Sequence, residues 1–312
     1  MNYVNLVAFL ICLFYLPVFT VGLIRKAKAQ FQNRVGPSLF QPLFNIIKLF
    51  GKSETVSKEA SWIFRWSTVI NMAAVIVLAF LVPWLPFRPL LPGDDIFLVV
   101  YLLALARFFA IIAALDTGSA FAAFGASREA TLSLLTEPGI VLSLVALGLA
   151  AHTSDLCQIF AIPHATGQLK ELALWLLAGT GVLLASLVEL SRMPIDDPTT
   201  HLELTMVHEA MVIENSGPNL ALVELTYSLR LAILFGLAGQ CFLHGLLLMV
   251  KLPFISVCLL SVLLILAVAL LTAVIESFAV KLAWRKNPDF IAYSLTMSLL
   301  ACLAAIMKGP TA

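Results

Sequence analysis

Eight separated runs of apolar residues, each long enough to cross a bilayer, constrain this chain more than any other feature. They fall near residues 4–24, 67–87, 96–114, 131–151, 172–190, 229–250, 254–280 and 290–307. A spanning helix needs roughly 20 apolar residues, because the hydrocarbon layer is about 30 Å thick and each residue rises about 1.5 Å. Inside that layer each backbone amide must find its partner within the helix. The runs therefore predict an all-α integral membrane protein of about eight transmembrane helices. Only 12% of the residues are charged, about half the share of a soluble domain. Eight spans of roughly 20 residues use about half of the chain, which leaves no room for a separate globular domain, so one bundle over 1–312 is expected. The first run is too long for a signal-peptide core and lacks a basic leader, which reads as a retained first span.

Orientation follows from the basic residues. The odd-numbered connections hold Arg25, Lys26, Lys28, Arg34, Lys48, Lys52, Lys58, Arg65, Arg128, Arg192, Arg230, Lys281, Arg285 and Lys286. The even-numbered connections and the C-terminus hold Arg88, Lys170, Lys251 and Lys308. The excess of Lys and Arg marks the cytoplasmic side. Both termini are thus expected outside, and the long first (25–66) and fifth (191–228) loops in the cytoplasm, in the inner membrane of a prokaryote. In the first loop, Phe40 to Phe50 repeats apolar residues at steps of three and four with Pro42 near its start, the pattern of an amphipathic helix. It is expected to lie in the interface with Lys48 and Lys52 toward the headgroups.

Charges at membrane depth are costly and so point to function. Arg107, Glu137 and Glu276 lie within or near the ends of the predicted spans; Asp116, Glu129 and Glu189 sit at cytoplasmic edges. A carboxyl group in low dielectric beside an Arg can bind and release protons near neutrality, as a proton relay requires. Glu129 and Glu137 are about 12 Å apart along a helix axis, so they become successive stations only with water or another carboxylate between them.

The fifth loop is the most polar segment: Glu189, Arg192, Asp196, Asp197, His201, Glu203, His208, Glu209 and Glu214 fall within 26 residues. Thr199 or Thr200 can cap a helix, with Glu203 completing a capping box after Thr200. Leu202, Met206, Val207, Met211 and Val212 then share an apolar face. Two readings follow. In one, an amphipathic helix closes the bundle and its charges face water. In the other, the acids line a water-filled funnel between a redox partner and the intramembrane carboxylates.

The five cysteines, Cys12, Cys157, Cys241, Cys258 and Cys302, form no CxxC pair, and His208-Glu209 is not followed by a histidine at zincin spacing. No metal site and no cofactor bound by this chain alone is expected. No basic patch with interleaved aromatics stands apart from the spans, so no nucleic-acid partner is expected. Internal repeats and inverted pairs of broken helices, the mark of many secondary transporters, are missing from the sequence.

The string Gln32-Asn-Arg34-Val-Gly36-Pro37, followed by Gln41-Pro42 and Ile47-Lys48-Leu-Phe, resembles the first-loop signature of the complex I subunit 1 family, and Arg25-Lys26 matches its basic pair. Leu115-Asp-Thr-Gly118, Gly125-Ala-Ser-Arg128-Glu129-Ala and Thr136-Glu137-Pro138 resemble the branch that anchors energy-converting NiFe hydrogenases of the formate hydrogenlyase subunit 4 and hydrogenase-4 component C type. Glu189, Arg192, Pro194 and Asp196 match the entry to the acidic fifth loop. Two departures matter. Ile24 stands where complex I members carry a glutamate before the basic pair, and Pro198-Thr-Thr-His201-Leu-Glu203-Leu-Thr replaces the family's acidic run. The first departure favours the hydrogenase branch.

The resemblance implies eight helices with a cavity beneath a peripheral arm, where complex I holds quinone. It implies a non-catalytic subunit of an oxidoreductase complex, with no catalytic residue of its own. Glu137, Glu189, Asp196, Glu203, Glu209, Glu214 and Glu129 are the implied proton relay. Arg25, Lys26, Arg34, Gly36, Pro37, Arg128, Arg192 and Asp197 are the implied docking or cavity residues. The implied partners are hydrogenase-like large and small subunits carrying NiFe and iron–sulfur centres, antiporter-like membrane subunits, and the lipid bilayer. The alternatives are a quinone-site subunit of an NADH:quinone oxidoreductase and a stand-alone secondary ion transporter.

Overall fold

The computed structural model describes residues 3–87, 93–161, 169–196 and 206–307. The chain runs through α1 (Tyr3–Phe31), α2 (Gln41–Phe50), α3 (Trp62–Leu81), α4 (Ile96–Asp116), α5 (Ala120–Ala151), α6 (Leu156–Ile159), α7 (Leu169–Glu189), α8 (His208–Val212), α9 (Gly217–Leu247), α10 (Phe254–Phe278) and α11 (Asn287–Met307). Eight of these helices are long and apolar enough to span a bilayer; α2, α6 and α8 are the short ones. No strand occurs among the described residues.

Three helices outrun their apolar segments. The first continues to Phe31, α5 begins at Ala120 and α9 at Gly217, so the third connection shrinks to 117–119 and the fifth to 190–216. With 29, 32 and 31 residues, they are roughly 44–48 Å long against a hydrocarbon layer of about 30 Å. Their surplus length carries Arg25, Lys26, Lys28, Arg128, Glu129 and Glu224. These polar residues end a hydropathy run but not a helix, because their side chains turn toward the bundle interior or the odd-numbered loops.

The odd-numbered connections gather at one end of the bundle. Asp116, at the end of α4, accepts hydrogen bonds from the Ser61 and Phe64 amides at 2.8 and 3.0 Å and so seats the start of α3. Ser216 accepts from the Thr55 amide at 2.8 Å, tying the first loop to the start of α9. At the other end, Asp95 caps α4 through the Phe97 amide, and Asp94 accepts from the Cys157 amide at 2.6 Å.

In lipid there is no apolar driving force between helices, so close backbone approach and interhelical hydrogen bonds hold them together. The α5, α7 and α11 seam uses both. Ser143 and Ser298 hydroxyls meet at 2.8 Å, and Ser294 donates to the Gly181 carbonyl at 3.0 Å. The amphipathic α2 buries Pro42 and Ile46, with Ile46 packed on Val18 of α1 and Ala221 of α9. Its other face leaves Phe44, Ile47, Phe50 and Lys48 exposed.

Candidate functional site

Arg107 sits eleven residues into the 21-residue α4 (107 − 96 = 11) and is buried, with 4% of its side chain exposed. A guanidinium at that depth needs counter-charge. Its Nη1 reaches Glu137 Oε1 of α5 at 3.0 Å, and its Nη2 pairs with Glu189 at the end of α7. Glu189 in turn faces Arg230 of α9 at 3.7 Å. Glu129, in the first third of α5, is buried and accepts from the Ser191 hydroxyl at 3.1 Å. Four helices thus bring five ionisable groups together.

Arg107, Glu129 and Arg230 also line a chamber of about 50 Å³, together with Ser67, Asn71, His208, Asn215 and Tyr227 among others. Ser67 Oγ, Asn71 Oδ1, Arg107 Nε and Arg230 Nε are buried without a hydrogen-bond partner. Such orphans are rare in apolar interiors and normal where water enters. The chamber has room for about four waters.

A second, larger cavity of about 710 Å³ opens toward the loop end. Arg25, Lys28, Arg34, Gly36 and Pro37 line it from α1 and the first loop, Ser191, Arg192, Asp196, His208 and Glu209 from the fifth loop, and Glu224, Tyr227 and Glu276 from α9 and α10. Arg192 holds Glu276 at 2.9 Å, and Lys28 approaches the same carboxylate at 3.6 Å. Asp196 pairs with Lys281 at 2.5 Å and accepts from the Val207 amide at 3.1 Å, which fixes the chain entering α8.

The two cavities share a wall. His208, Val212, Val223 and Tyr227 line both. The imidazole of His208 lies against the Tyr227 ring with centroids 5.3 Å apart. Burial, reinforced by Arg230 and Arg192, pushes His208 down to about 4, so it stands neutral in the wall.

Set against the expected relay, Glu129, Glu137 and Glu189 come together around Arg107; Asp196 and Glu209 line the larger cavity. Glu214 lies beyond α8 and lines neither cavity. Glu203 and Asp197, with the expected cap at Thr199 or Thr200 and His201, lie outside the described residues. On α5, Glu129 is buried while the Glu137 side chain is 36% exposed, and Arg107 links Glu137 to a further carboxylate, Glu189. Of the expected docking residues, Arg25, Arg34, Gly36, Pro37 and Arg192 line the cavity, and Lys26 lies on the adjoining open surface with Gln30 and Val35. Gly36 has φ +72°, a conformation glycine adopts without penalty. Arg128 stacks 3.8 Å above Phe124 and donates to the Met206 carbonyl at 3.2 Å, so it anchors the fifth loop to α5. Asp116, an edge acid, serves α3 as its cap.

Sequence reasoning missed Arg230, Tyr227, His208 and Ser191 as parts of the site. Arg230 counts in the sequence as one more loop cation, because the hydropathy run of α9 starts only at 229. Its place in the helix interior follows from α9 beginning twelve residues earlier (229 − 217 = 12).

A family model described as NADH dehydrogenase matches residues 4–307. Hydrogenase-4 component C of Escherichia coli is 34% identical over 234 residues, covering 75% of this chain and 72% of the relative. Formate hydrogenlyase subunit 4 of Escherichia coli is 31% identical over 210 residues, covering 67% of each. An NADH-quinone oxidoreductase subunit of Rubrobacter xylanophilus is 30% identical over 235 residues, covering 71% of this chain and 68% of the relative. Among solved structures, a chain of the membrane-bound sulfane sulfur reductase, an archaeal respiratory membrane complex, superposes with a TM-score of 0.78 over 96% of this chain and 97% of its own, at 19% identity. The fold is shared that far. With the family model spanning all eight transmembrane helices, the chain belongs to the NADH dehydrogenase family, as a complex I subunit 1-like membrane subunit.

Proposed function

We propose that this chain is the membrane anchor of a complex I-like, energy-converting hydrogenase, which docks a peripheral redox arm and relays its coupling to ion-translocating membrane subunits. The observation that carries this reading is the shared wall. A larger, charged cavity and a smaller, orphan-lined chamber meet at His208 and Tyr227, and the chamber leads to the Arg107, Glu189 and Glu137 group. Reduction or protonation in the docked arm changes the charge beside Asp196 and Glu209. That change moves protons among Glu129, Glu189 and Glu137 across short, weakly screened separations. The first and fifth loops face the cytoplasm and both termini the opposite side, by the excess of basic residues at the loop end. The hydrogenase-like large and small subunits cover the larger cavity, and antiporter-like subunits lie beside the bundle.

The decisive experiment purifies the intact complex and reconstitutes it in liposomes. A NiFe large subunit copurifies, hydrogen is evolved, and an ion gradient builds. Glu137→Gln keeps hydrogen evolution and loses the gradient; an unchanged gradient removes Glu137 from the relay.

A second reading, a quinone-site subunit, is favoured by the volume of the larger cavity, which falls in the range of small-molecule sites. Its lining argues the other way, since Arg25, Lys28, Arg192, Asp196 and Glu276 leave it more charged than such sites are. Quinone-dependent, inhibitor-sensitive turnover in place of hydrogen evolution selects this second reading.

A further inference from the structure

Within the buried group, Arg107, Glu129, Glu189 and Arg230 are closed off from the outside, whereas the Glu137 side chain is 36% exposed. Its partner Arg107 is nine residues from one end of α4 (116 − 107 = 9) and eleven from the other, which puts the pair near mid-bilayer by the 1.5 Å rise of a helix. On the same two helices, Leu134 is 72% exposed, Phe108 56% and Tyr101 71%. These side chains suit lipid; a carboxylate among them does not.

Two further features sit at the same level. Pro138 lies inside α5 next to Glu137. Lacking an amide hydrogen, it cannot donate to the Leu134 carbonyl one turn back, so that carbonyl loses its helical donor on this same flank. The charge also fails to balance. Arg107 and Arg230 bring two positive charges and Glu129, Glu137 and Glu189 three carboxylates, which leaves 2 − 3 = −1 when all are ionised. With all of them ionised, an acceptor-rich notch with one negative charge uncompensated opens sideways from an apolar face.

We infer that the α4–α5 flank around Glu137 is the docking seam for a transmembrane helix of a neighbouring membrane subunit, which places a lysine against Glu137 and the Leu134 carbonyl. A lysine fits the notch because its ammonium carries three donors and one compensating charge. It also gives up its proton readily once desolvated, so it can pass that proton onward and, once neutral, take one from a protonated Glu137. This deepens the relay reading and rests on it for its meaning, since the seam is where the relay leaves the chain.

The test places the photo-crosslinker benzoylphenylalanine at Leu134 in the intact complex in native membranes, with Leu263 of α10, also exposed at 60%, as the control. The expected result is a crosslink from position 134 to a hydrophobic peptide of another subunit with a lysine within one helical turn, at a yield several-fold above position 263. Lipid adducts alone from both positions, a crosslink to a second copy of this chain, or a partner peptide without lysine overturns the seam. Leu134→Cys, a smaller change, provides the second variant: it is shielded from a lipid-soluble maleimide in the complex and labelled once membrane subunits are stripped, and equal labelling in both states overturns the seam too. Transport in Glu137→Gln separates the two claims. A crosslink with unaltered transport removes the relay and keeps the seam; lost transport without a crosslink does the reverse.

Discussion

His208 and Tyr227 face each other with ring centroids 5.3 Å apart, in the wall between a cavity of about 710 Å³ and a chamber of about 50 Å³. One ring comes from the five-residue α8, the other from the core helix α9. The partition is therefore as firm as the seat of α8, which hangs on Asp196 accepting the Val207 amide and on Arg128 holding the Met206 carbonyl.

Docking of α8 should weaken in acid. His208 is pushed from 6.5 to about 4 by burial and by Arg230 and Arg192, so an undocked α8 takes up a proton that the docked one refuses. The contribution is fully present above pH 6.5 and is lost as pH falls toward 4. Arg192, Arg230, Asp196 and Tyr227 surround the ring and set this sign. Hydrogen exchange of the 206–212 amides in the solubilised complex, corrected for intrinsic rates, should rise through that window. In His208→Gln that rise should shrink; an identical rise in both proteins assigns it to another group.

Gly125 offers a test of the same seat from beneath. A Cβ there would stand 2.8 Å from the Val207 carbonyl and 2.9 Å from the Ala210 side chain, so Gly125→Val must lift α8. Overpacking of this kind costs about 1–3 kcal/mol. The spanning helices do not depend on α8, so the complex should assemble while coupled transport falls. Unaltered hydrogen exchange over 206–212 in this variant would show that α8 is not seated on α5.

Arg192 and Glu276 make the strongest claim on stability. Both are buried, 2.9 Å apart, with Lys28 a weaker second partner at 3.6 Å. Removing one member of a buried pair costs about 3–5 kcal/mol because the other charge is stranded, whereas replacing both by apolar groups can be nearly neutral. Arg192→Met should therefore lower the thermal stability of the complex more than Arg192→Met with Glu276→Met. Additive losses in the two single variants would mean that the charges do not need each other.

The spans were readable because the bilayer imposes one period and one length on each of them. All eight predicted runs correspond to helices, and the errors fall where a helix leaves the hydrocarbon. Residues 120–130 and 217–228 carry polar groups that break a hydropathy run, yet they continue α5 and α9 because those groups find partners inside the bundle. For the same reason Glu129 and Arg230, assigned by sequence to a span edge and a loop, belong to the interior. Glu137, Arg107 and Glu276 were legible as charges at depth. Their pairing was not, because Arg107 with Glu189 and Arg192 with Glu276 join residues 82 and 84 positions apart (189 − 107 and 276 − 192), a relation that periodicity cannot encode. The His208 wall was hidden for a related reason: its meaning lies in two cavities formed by several helices and two loops.

Glu129 and Glu189 should separate a path residue from a structural one. Glu189 stands between Arg107 and Arg230, so Glu189→Gln leaves two buried guanidinium groups short of a counter-charge and should lower the yield of assembled complex. Glu129 accepts from a neutral hydroxyl, that of Ser191 at 3.1 Å, and a glutamine oxygen can accept the same bond. Glu129→Gln should thus assemble better than Glu189→Gln, although it takes a carboxylate from the group around Arg107 and Arg230, while any proton that must pass through the chamber loses a carrier. Hydrogen evolution should persist with a reduced ion gradient per turnover, measured in the same liposomes. Should Glu129→Gln pump at the parental ratio, water in the chamber carries the proton past this carboxylate to Glu189.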